Sequence, residues 1–269
     1  MIDLDGAVAC VTGGARGIGR ATAAELVRRG ARVWIGDIDT EEVDRASREI
    51  GSRGMYLDVT DAASVSAFHQ AASGDGPPAM LVNNAGIQLM GAFTDQRVEL
   101  YHREVAVNLV GVINGMHAFL PGMLDRDHGH IVNVASMAAK VTTPGISVYS
   151  ATKYAVAALS RAVRAEIASS AVTLSTVLPT AVHTELTAGV ALDWLPTRQP
   201  EHIATAIADS ARHTRREVTV PRWLGVVGLL EEAVPEPLLH RVKSFVTMGR
   251  PPGHYDPAAR RGYLDRVGR

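Results

Sequence analysis

The chain of 269 residues has one cysteine, Cys10, and only three lysines among its 27 basic residues. A single cysteine excludes an internal disulfide framework and a paired-cysteine metal site, and it fits a reducing compartment. Acidic and basic residues nearly cancel, for a net charge of -1. The composition therefore gives no reason to expect nucleic acid or an anionic membrane as the main partner, and we predict no metal site.

Long apolar runs are also absent, because no stretch approaches the roughly 18 uninterrupted apolar residues of a spanning helix. The first ten residues carry two acids and no basic residue, unlike a secretory signal. With 46% hydrophobic residues, the chain can still bury a large core. These features together predict a cytoplasmic globular protein.

Short apolar runs alternate with longer amphipathic stretches along most of the chain. The predicted strands are residues 7–11, 32–36, 55–59, 79–83, 130–135, 172–178 and 217–220. The predicted helices are residues 18–29, 40–50, 62–73, 95–120 and 147–168. This alternation predicts an α/β fold with a doubly wound, seven-stranded parallel sheet of the Rossmann-like kind. We place one domain at residues 1–222 and a C-terminal helical extension at 223–269.

The extension falls outside the alternation. Residues 223–248 are apolar, are broken by Pro235 and Pro237, and predict two short amphipathic helices. We expect this segment to cap a pocket or to pack on a second subunit, and contact with a membrane surface is the alternative left open. Residues 249–269 predict a solvated tail, or one that lies over a second subunit.

A glycine-rich loop, TGGARGIG at residues 12–19, follows the first strand and leads into a helix. Glycines allow a tight turn and let backbone N–H groups approach a pyrophosphate at the positive end of that helix. A turn without a ligand is the plain alternative, but the position near the start of an α/β unit favours a dinucleotide site. The predicted cofactor contacts in the loop are Gly13, Arg16, Gly17, Ile18 and Gly19.

Asp37 follows the second strand, 18 residues after Gly19. A carboxylate here accepts hydrogen bonds from the adenosine ribose hydroxyls and repels a 2′-phosphate, so Asp37 favours NAD over NADP. Arg16 is a complication because its charge attracts phosphate, but no second basic residue follows Asp37 to assist it. The alternative for Asp37, as for Asp39, is a helix cap or a solvated turn.

Tyr149 and Lys153 lie four residues apart in a predicted helix and therefore share a face. A phenol has a pKa of about 10, and a neighbouring ammonium lowers it, which allows proton exchange with an alcohol or ketone during hydride transfer. Ser136 follows the fifth strand, at the edge where open α/β sheets bind ligands, and its hydroxyl is suited to hold the substrate oxygen. The plain alternatives are an exposed helix pair and a helix cap.

In this order, the motifs resemble the short-chain dehydrogenase/reductase family, in its compact single-domain branch, over about residues 5–222. The glycine loop resembles the family's TGxxxGxG, and residues 83–86 read NNAG. Residues 108–111, NLVG, resemble the segment that carries the family's catalytic asparagine. Ser136, Tyr149 and Lys153 match the catalytic serine and the YxxxK pair.

The resemblance implies a role for each of these residues. Tyr149 is the implied general acid/base, Lys153 lowers its pKa and anchors the nicotinamide ribose, and Ser136 orients the substrate. Asn108 is implied to hold a water in a proton relay, with a helix kink as its plain alternative. Further implied cofactor contacts are Asp58, Val59, Asn84, Val182 and Thr184.

Two other expectations follow from the resemblance. A homotetramer or homodimer is implied, built partly from the helices predicted at 95–120 and 147–168. After the sixth strand the family usually has Pro-Gly, whereas this chain has Pro179-Thr180, which puts the local backbone path in question. We interpret His183, in the same loop, as a solvated residue rather than a substrate contact.

The segments expected to line the substrate pocket are mostly apolar. They contribute Leu89, Met90, Met137, Val141, Pro144, Ile146, Leu186, Val190, Leu192, Trp194 and Leu195, with Lys140, Glu185 and Asp193 as the few charged residues. Unless these residues pack as ordinary core, such a pocket suits an apolar secondary alcohol or ketone. The predicted function is NAD-dependent interconversion of the two, and the alternative is an NAD(H)-binding sensor of the same fold without turnover.

Overall fold

The computed structural model describes residues 1–190, 197–213, 216–226, 228, 234 and 256–267. Within them, seven strands form one sheet in the order β3-β2-β1-β4-β5-β6-β7, and every neighbouring pair is parallel. The strands are β1 (Val8–Thr12), β2 (Arg32–Asp37), β3 (Arg53–Tyr56), β4 (Pro78–Asn83), β5 (His130–Val134), β6 (Thr173–Pro179) and β7 (Glu217–Val220). The predicted doubly wound, Rossmann-like sheet is confirmed.

Helices of the described chain connect and flank these strands. They are α1 (Gly17–Arg28), α2 (Thr40–Ile50), α3 (Ala62–Ser73), α4 (Val98–Val105), α5 (Gly111–Asp125), α6 (Ser147–Glu166), α7 (Pro200–Ser210) and α8 (Pro257–Val267). Strand order reverses between β1 and β4, and open α/β sheets bind their ligands at the carboxyl ends of the strands beside such a reversal.

The sheet is buried on both faces, which explains why its strands are continuously apolar. In β1, Val8 and Cys10 belong to a core shared with α3, α5 and α6. Ala9 and Val11 belong to a second core shared with α1, α2 and α7. Successive side chains of a strand point to opposite faces, so one short run of residues anchors both layers and fixes the carboxyl end of β1 between them.

Two elements differ from the prediction. β3 ends at Tyr56, so Asp58 and Val59 lie in the loop after the strand and not within it. The helix predicted at 95–120 is instead two helices, α4 and α5, joined by a π-helical turn at Ala106–Val110. The helix kink given as the alternative interpretation of Asn108 is therefore present. It takes the form of one extra residue in the helical turn that contains Asn108.

Val98–Asp125 is long and apolar enough, at a hydropathy of 1.3, to pass a length and composition test for a membrane span. The same segment fully buries the polar side chains of Glu104 and Asn108 and contains Pro121 within α5. We interpret it as a core helix pair of the sheet fold, because a core helix meets the same length and composition test.

The C-terminal extension returns to the domain. Most of residues 223–248, with the two predicted amphipathic helices, lies outside the described residues. Residues 257–267, expected in a solvated or subunit-draping tail, form α8 instead, which buries Arg260 and Val267 completely or nearly so. The physical reason is a set of hydrogen bonds from α8 to backbone groups of the sheet's carboxyl edge, which pattern analysis of the sequence does not show.

Candidate functional site

The glycine loop lies at the carboxyl end of β1, beside the reversal in strand order. Gly13 has a φ of +62°, and a Cβ there would lie 2.8 Å from the Cα of Ala85. A Cβ on Gly19 would lie 2.1 Å from the carbonyl oxygen of Gly13. Only glycine therefore allows the loop to close on itself and on the loop after β4.

The start of α1 fits a pyrophosphate. The helix begins at Gly17, its first turn has no acidic residue, and the N-cap residue Arg16 makes no side-chain cap hydrogen bond. The first N–H groups of a helix have no partner within the helix, and they attract anions. Gly17, Ile18 and Gly19 lie in this first turn and Gly13 precedes it, and their contacts with a dinucleotide stay a prediction.

Asn84 is hydrogen-bonded to the glycine loop through its side chain and its backbone. Its side-chain amide donates to the carbonyl oxygens of Thr12 and Gly13, each at 3.0 Å. Its backbone N–H donates to the Thr12 hydroxyl at 3.0 Å. The side-chain donors of Asn84 are therefore used to hold the glycine loop, which makes Asn84 a support of the cofactor site through that loop.

Asp37 and Arg16 lie at the adenosine side of the loop. The Asp37 carboxylate accepts a hydrogen bond from the backbone N–H of Ala15 at 3.4 Å, and burial raises its pKa. Asp39, and not Asp37, caps α2 by accepting from Glu42 N at 3.1 Å. Arg16 pairs with Asp39 at 2.8 Å and with Glu42 at 3.5 Å. Its charge is therefore already balanced by carboxylates.

Asp58 and Val59 follow β3, which pairs with β2, so they reach the same edge of the sheet as Asp37. The Asp58 carboxylate accepts from the backbone N–H of Thr60 at 2.9 Å and from its hydroxyl at 2.7 Å. Val59 is buried against Gly111, where a Cβ would lie 2.7 Å from the Val59 Cγ2. Both residues are thus placed beside the adenosine end, where the adenine contact is implied.

Ser136 lies two residues after β5 and meets Tyr149 in the first turn of α6. The Ser136 hydroxyl accepts from Ala138 N at 3.1 Å, so it caps a short 3₁₀ turn. It also hydrogen-bonds the Tyr149 side chain. Ser136 is therefore both the cap of the 3₁₀ turn and a hydrogen-bond partner of Tyr149.

Lys153 is buried on the same face of α6 as Tyr149. Its Nζ donates to the carbonyl oxygen of Val134 at 3.0 Å and lies 5.6 Å from the centre of the Tyr149 ring. Burial disfavours the ammonium and lowers the pKa of Lys153 to about 8, against the attraction of Glu104. The lysine is therefore placed to exchange a proton close to neutral pH.

The pKa of Tyr149 differs from the prediction. We expected Lys153 to lower it, but burial of the phenol raises the pKa above its ordinary value, and the Ser136 hydrogen bond only partly opposes this. The negative charge of Glu104 raises it further. The reason is that the desolvation cost of a buried phenolate outweighs the favourable contacts that the polypeptide supplies.

Asn108 ties the loop after β4 to the helices. Its side-chain amide donates to the Ile87 carbonyl at 2.9 Å and to the Thr152 hydroxyl at 3.1 Å, and its Oδ1 accepts from Ile87 N at 2.8 Å. A Cβ on Gly86 would lie 3.2 Å from the Asn108 Oδ1 and 3.5 Å from the Lys153 Nζ. The asparagine side chain thus positions this loop against Lys153. Sequence analysis missed Thr152 in this role.

Val182 and Thr184 lie across the cleft from the glycine loop. A Cβ on Gly17 would lie 3.3 Å from the Thr184 Cγ2. The Val182 carbonyl accepts from the Thr187 hydroxyl at 2.6 Å, which holds the loop in a tight turn. Thr184 therefore lies beside the start of α1, and the nicotinamide contacts of Val182 and Thr184 stay a prediction.

Thr180 does not strain the loop where the family usually has glycine. Among described residues other than glycine, only Asp127 has a positive φ. The backbone N–H of Thr180 donates to the Val220 carbonyl at 3.0 Å, so β7 supports the chain at this point. His183 is exposed, in line with a solvated loop residue.

The expected pocket residues are only partly described. Leu89, Met90 and Met137 are buried, Val141, Ile146, Leu186 and Val190 are half-buried, and Pro144 is exposed. Leu192, Asp193, Trp194 and Leu195 lie outside the described residues. The Lys140 ammonium forms an ion pair at 3.1 Å with Glu217 of β7, which balances its charge.

Buried polar groups that sequence analysis missed border the same region. Glu104 is fully buried and accepts from Leu89 N at 2.8 Å, and burial raises its pKa to about 7. It precedes Asn108 by one helical turn, and that spacing was the available signal. Tyr263 and Arg260 arrive from α8, and no signal in the sequence pointed to them. In the described part of the chain, no group of three or more His, Cys, Asp or Glu side chains is arranged for a metal.

The chain matches the family model for short chain dehydrogenases over residues 7–193. It is 42% identical over 185 residues to the probable oxidoreductase EphD of Mycobacterium tuberculosis, which covers 66% of this chain but 31% of that protein. The chain thus spans about a third of the length of that relative.

Two other relatives match over more of their length. The 2,5-dichloro-2,5-cyclohexadiene-1,4-diol dehydrogenase LinX of Sphingobium indicum is 36% identical over 198 residues, which are 71% of this chain and 79% of that protein. The 3-alpha-(or 20-beta)-hydroxysteroid dehydrogenase of Mycobacterium tuberculosis is 35% identical over 196 residues, 72% of this chain and 74% of that protein.

A solved structure is similar over nearly the whole fold. The short chain dehydrogenase/reductase from Burkholderia phymatum in complex with NAD superposes with a TM-score of 0.79 at 25% identity and covers 87% of this chain and 95% of that one. The cradle, the motifs and these matches agree. The chain belongs to the short-chain dehydrogenase/reductase family and has that family's nicotinamide-cofactor fold.

Proposed function

We propose that the protein is an NAD-dependent dehydrogenase that interconverts a hydrophobic secondary alcohol and its ketone. The observation that carries the proposal is the contact between the Ser136 and Tyr149 side chains, with Lys153 buried on the same helix face. These groups lie beside the loops that form the cofactor cradle. A sensor without turnover has no need for such a set of proton-exchanging groups.

In this proposal, the Ser136 and Tyr149 hydroxyls bind the oxygen of the substrate, and Tyr149 exchanges its proton. When bound, NAD supplies the nicotinamide carbon that takes the hydride from the alcohol. Burial favours the neutral phenol, which suits Tyr149 as the acid in ketone reduction. For alcohol oxidation the proton must be passed on, and Lys153, with a pKa of about 8, is the neighbouring group that can exchange it near neutral pH.

The preference for NAD over NADP rests on two features of the adenosine side. Asp37 places a carboxylate at the end of β2, where it would occupy the space of a 2′-phosphate and repel its negative charge. Arg16 is engaged by Asp39 and Glu42, so it offers little attraction to that phosphate. The relative in complex with NAD supports the same choice.

The substrate class rests on the buried apolar side chains near the site. Leu89 and Met90 lie in the loop after β4, and Met137 directly follows Ser136 in the loop after β5, the strand that pairs with β4. An alicyclic or steroid-like alcohol, or a long aliphatic one, would bury its apolar surface there. The names of the diol and hydroxysteroid dehydrogenase relatives are compatible with this class.

We also propose a homo-oligomer that uses α4, α5 and α6. Val110, Ile113 and Leu124 are exposed apolar residues along one side of the α4–α5 segment. The outer face of α6 carries small residues, Ala151, Ala158 and Ala162, which allow close approach of another helix. A second copy of the chain would remove this apolar surface from water.

A paired screen tests the proposed reaction. NAD+ and NADP+ are each offered with steroid, terpene and long-chain secondary alcohols, and with sugars and hydroxy acids, while reduced nicotinamide is followed by absorbance. We expect turnover with NAD+ and apolar alcohols. A clear preference for sugars or hydroxy acids would refute the substrate class, and NADH binding without turnover across the panel would favour the sensor.

A further inference from the structure

The guanidinium of Arg260, in α8, connects two loops that are distant in sequence. It is fully buried; its Nη1 donates to the Leu186 carbonyl at 2.6 Å, and its Nη2 donates to the Gln88 carbonyl at 2.7 Å. Leu186 lies in the loop after β6, and Gln88 lies in the loop after β4. One side chain therefore joins the two sides of the cleft at the carboxyl edge of the sheet.

Tyr263 strengthens this contact from the next turn of α8. Its hydroxyl accepts from Gln88 N at 2.6 Å, and its ring lies 4.5 Å from the Arg260 guanidinium carbon. Arg266, one turn further along, forms an ion pair with Glu185. Three side chains on one face of α8 therefore form hydrogen bonds or an ion pair with the same two loops.

The loop after β6 carries the implied nicotinamide contacts Val182 and Thr184, and the loop after β4 packs beside Lys153. Gln88 follows Ile87, whose backbone is paired with the Asn108 side chain beside Lys153. Leu186 lies two residues after Thr184. The position of the Arg260 guanidinium therefore sets the separation between the two sides of the nicotinamide end.

A buried guanidinium is costly unless its surroundings compensate the charge. Two carbonyl oxygens accept from it, and the Glu104 carboxylate, buried on α4, attracts it. An apolar side chain would anchor α8 at less cost in desolvation, but it would not bridge two backbone carbonyls. The bridging geometry is thus the feature that requires arginine.

We propose that Arg260 is a positioning residue for the nicotinamide half of the cofactor, and that α8 is part of the site rather than an appendage. It acts through the Gln88 and Leu186 carbonyls and holds the two loops at the spacing that a bound nicotinamide ring needs. The adenosine half is held by Asp37 and the glycine loop and does not depend on Arg260. This inference rests on the family's nicotinamide-cofactor fold and not on the proposed reaction.

The test compares binding of NADH with binding of ADP-ribose, which lacks the nicotinamide, by calorimetry on the full chain. For Arg260→Met we expect NADH to bind about tenfold more weakly, as for the loss of one charge-assisted contact, while ADP-ribose binding changes less than about twofold. Arg260→Lys keeps the charge but cannot bridge both carbonyls as a fork does, so its NADH affinity should lie between those of wild type and Arg260→Met.

Arg261→Met is the matched control, because Arg261 is the next residue of α8 and is exposed. It should leave both affinities unchanged. If Arg260→Met does not fold, as judged by its thermal transition, Tyr263→Phe removes only a hydroxyl and should weaken NADH binding in the same selective way, by a smaller factor. Equal losses for NADH and ADP-ribose, or no loss of either in the folded variants, would overturn the proposal. Because no substrate is used, failure of the alcohol screen would leave this result standing.

Discussion

Tyr149 is the residue at which the proposed chemistry can be tested most directly. Tyr149→Phe keeps the ring and removes the hydroxyl, so we expect turnover to fall by at least about a thousandfold, within the range for a lost general acid/base. NADH affinity should change by less than about twofold, because a ring of the same shape remains. Steady-state kinetics and fluorescence titration check both values.

Tyr56→Phe is the control for that variant, because Tyr56 lies at the end of the edge strand β3 and is exposed. It should behave as wild type. Retained turnover in Tyr149→Phe would remove the tyrosine from the mechanism.

Glu104 controls the charge around both proton-exchanging groups. Its carboxylate raises the pKa of Tyr149 and that of Lys153. Glu104→Gln should therefore shift the ionisation seen in the pH profile of kcat/KM to lower pH, by about one unit or less, whichever of the two groups titrates. The shift should appear above about pH 7, where Glu104 is charged.

Glu99→Gln, on the exposed side of the same helix, is the control and should leave the profile unchanged. A profile that moves to higher pH in Glu104→Gln, or does not move, would contradict this account of the site.

At the scale of residues, sequence reasoning can identify candidates whose type and spacing point to a particular chemistry. Ser136, Tyr149 and Lys153 are such residues, and the structure brings them together. Arg260 and Tyr263 could not be predicted, because their roles arise when α8 folds back onto loops 74 and about 170 residues earlier in sequence. No short-range pattern records such a contact.

At the scale of elements, the glycine loop depends on the absence of side chains. In Gly19→Ala the new Cβ would meet the Gly13 carbonyl oxygen at 2.1 Å, so the loop must open. We expect NADH and ADP-ribose affinity to fall together by at least about tenfold, in contrast to the selective loss predicted for Arg260→Met. Calorimetry with both ligands distinguishes the two patterns.

Gly122→Ala serves as the control, because Gly122 lies within α5 away from the loop, and its nearest neighbour is the flexible end of Arg126. Alanine favours a helix by up to about 1 kcal/mol over glycine, so this variant should bind normally and unfold at the same or a higher temperature. Normal binding in Gly19→Ala would show that the loop is not the cradle.

The element boundaries that sequence analysis missed have identifiable causes. Leu57 and Val59 are as buried as strand residues, because they pack into the core with α3 and α5, yet they follow β3. Their apolar side chains, which are typical of a buried strand, led to the prediction of a strand that extends to residue 59. The π-helical turn at Ala106–Val110 lies where Gly111 approaches Val59 closely, a tertiary contact without a signature in the local periodicity.

At the scale of the whole molecule, the exposed face of α5 predicts an assembly. Ile113 is 43% exposed in the single chain. Ile113→Glu would place a charge in the interface that we propose, so the oligomer should dissociate to a smaller species in light scattering, while the far-ultraviolet circular dichroism stays unchanged. Ile38→Glu, at an exposed position directly after β2, is the matched control and should keep the wild-type mass. An unchanged mass for Ile113→Glu would exclude this face.

The pH dependence of stability tests the packing of the sheet on α7. His130 is fully buried on β5, and its two ring nitrogens hydrogen-bond the hydroxyls of Thr173 and Ser210 at 2.7 and 2.9 Å. Burial lowers its pKa to about 4, whereas in the unfolded chain it is about 6.5. Between these values the unfolded chain binds the extra proton, so stability falls as the pH drops below about 6.5.

This loss should reach about 2 kcal/mol at pH 5. Glu104 acts in the opposite direction, because its raised pKa makes stability fall as pH rises toward about 7. A comparison with His130→Gln removes that contribution, since Glu104 is present in both proteins. The difference in unfolding free energy between wild type and His130→Gln, from urea titrations, should therefore shrink by about 2 kcal/mol between pH 7.5 and pH 5.

His128→Gln, at an exposed position, should show no such change. A difference that stays constant with pH would mean that His130 accepts its proton in the folded state, and that the β5–α7 contact is looser than the structure indicates.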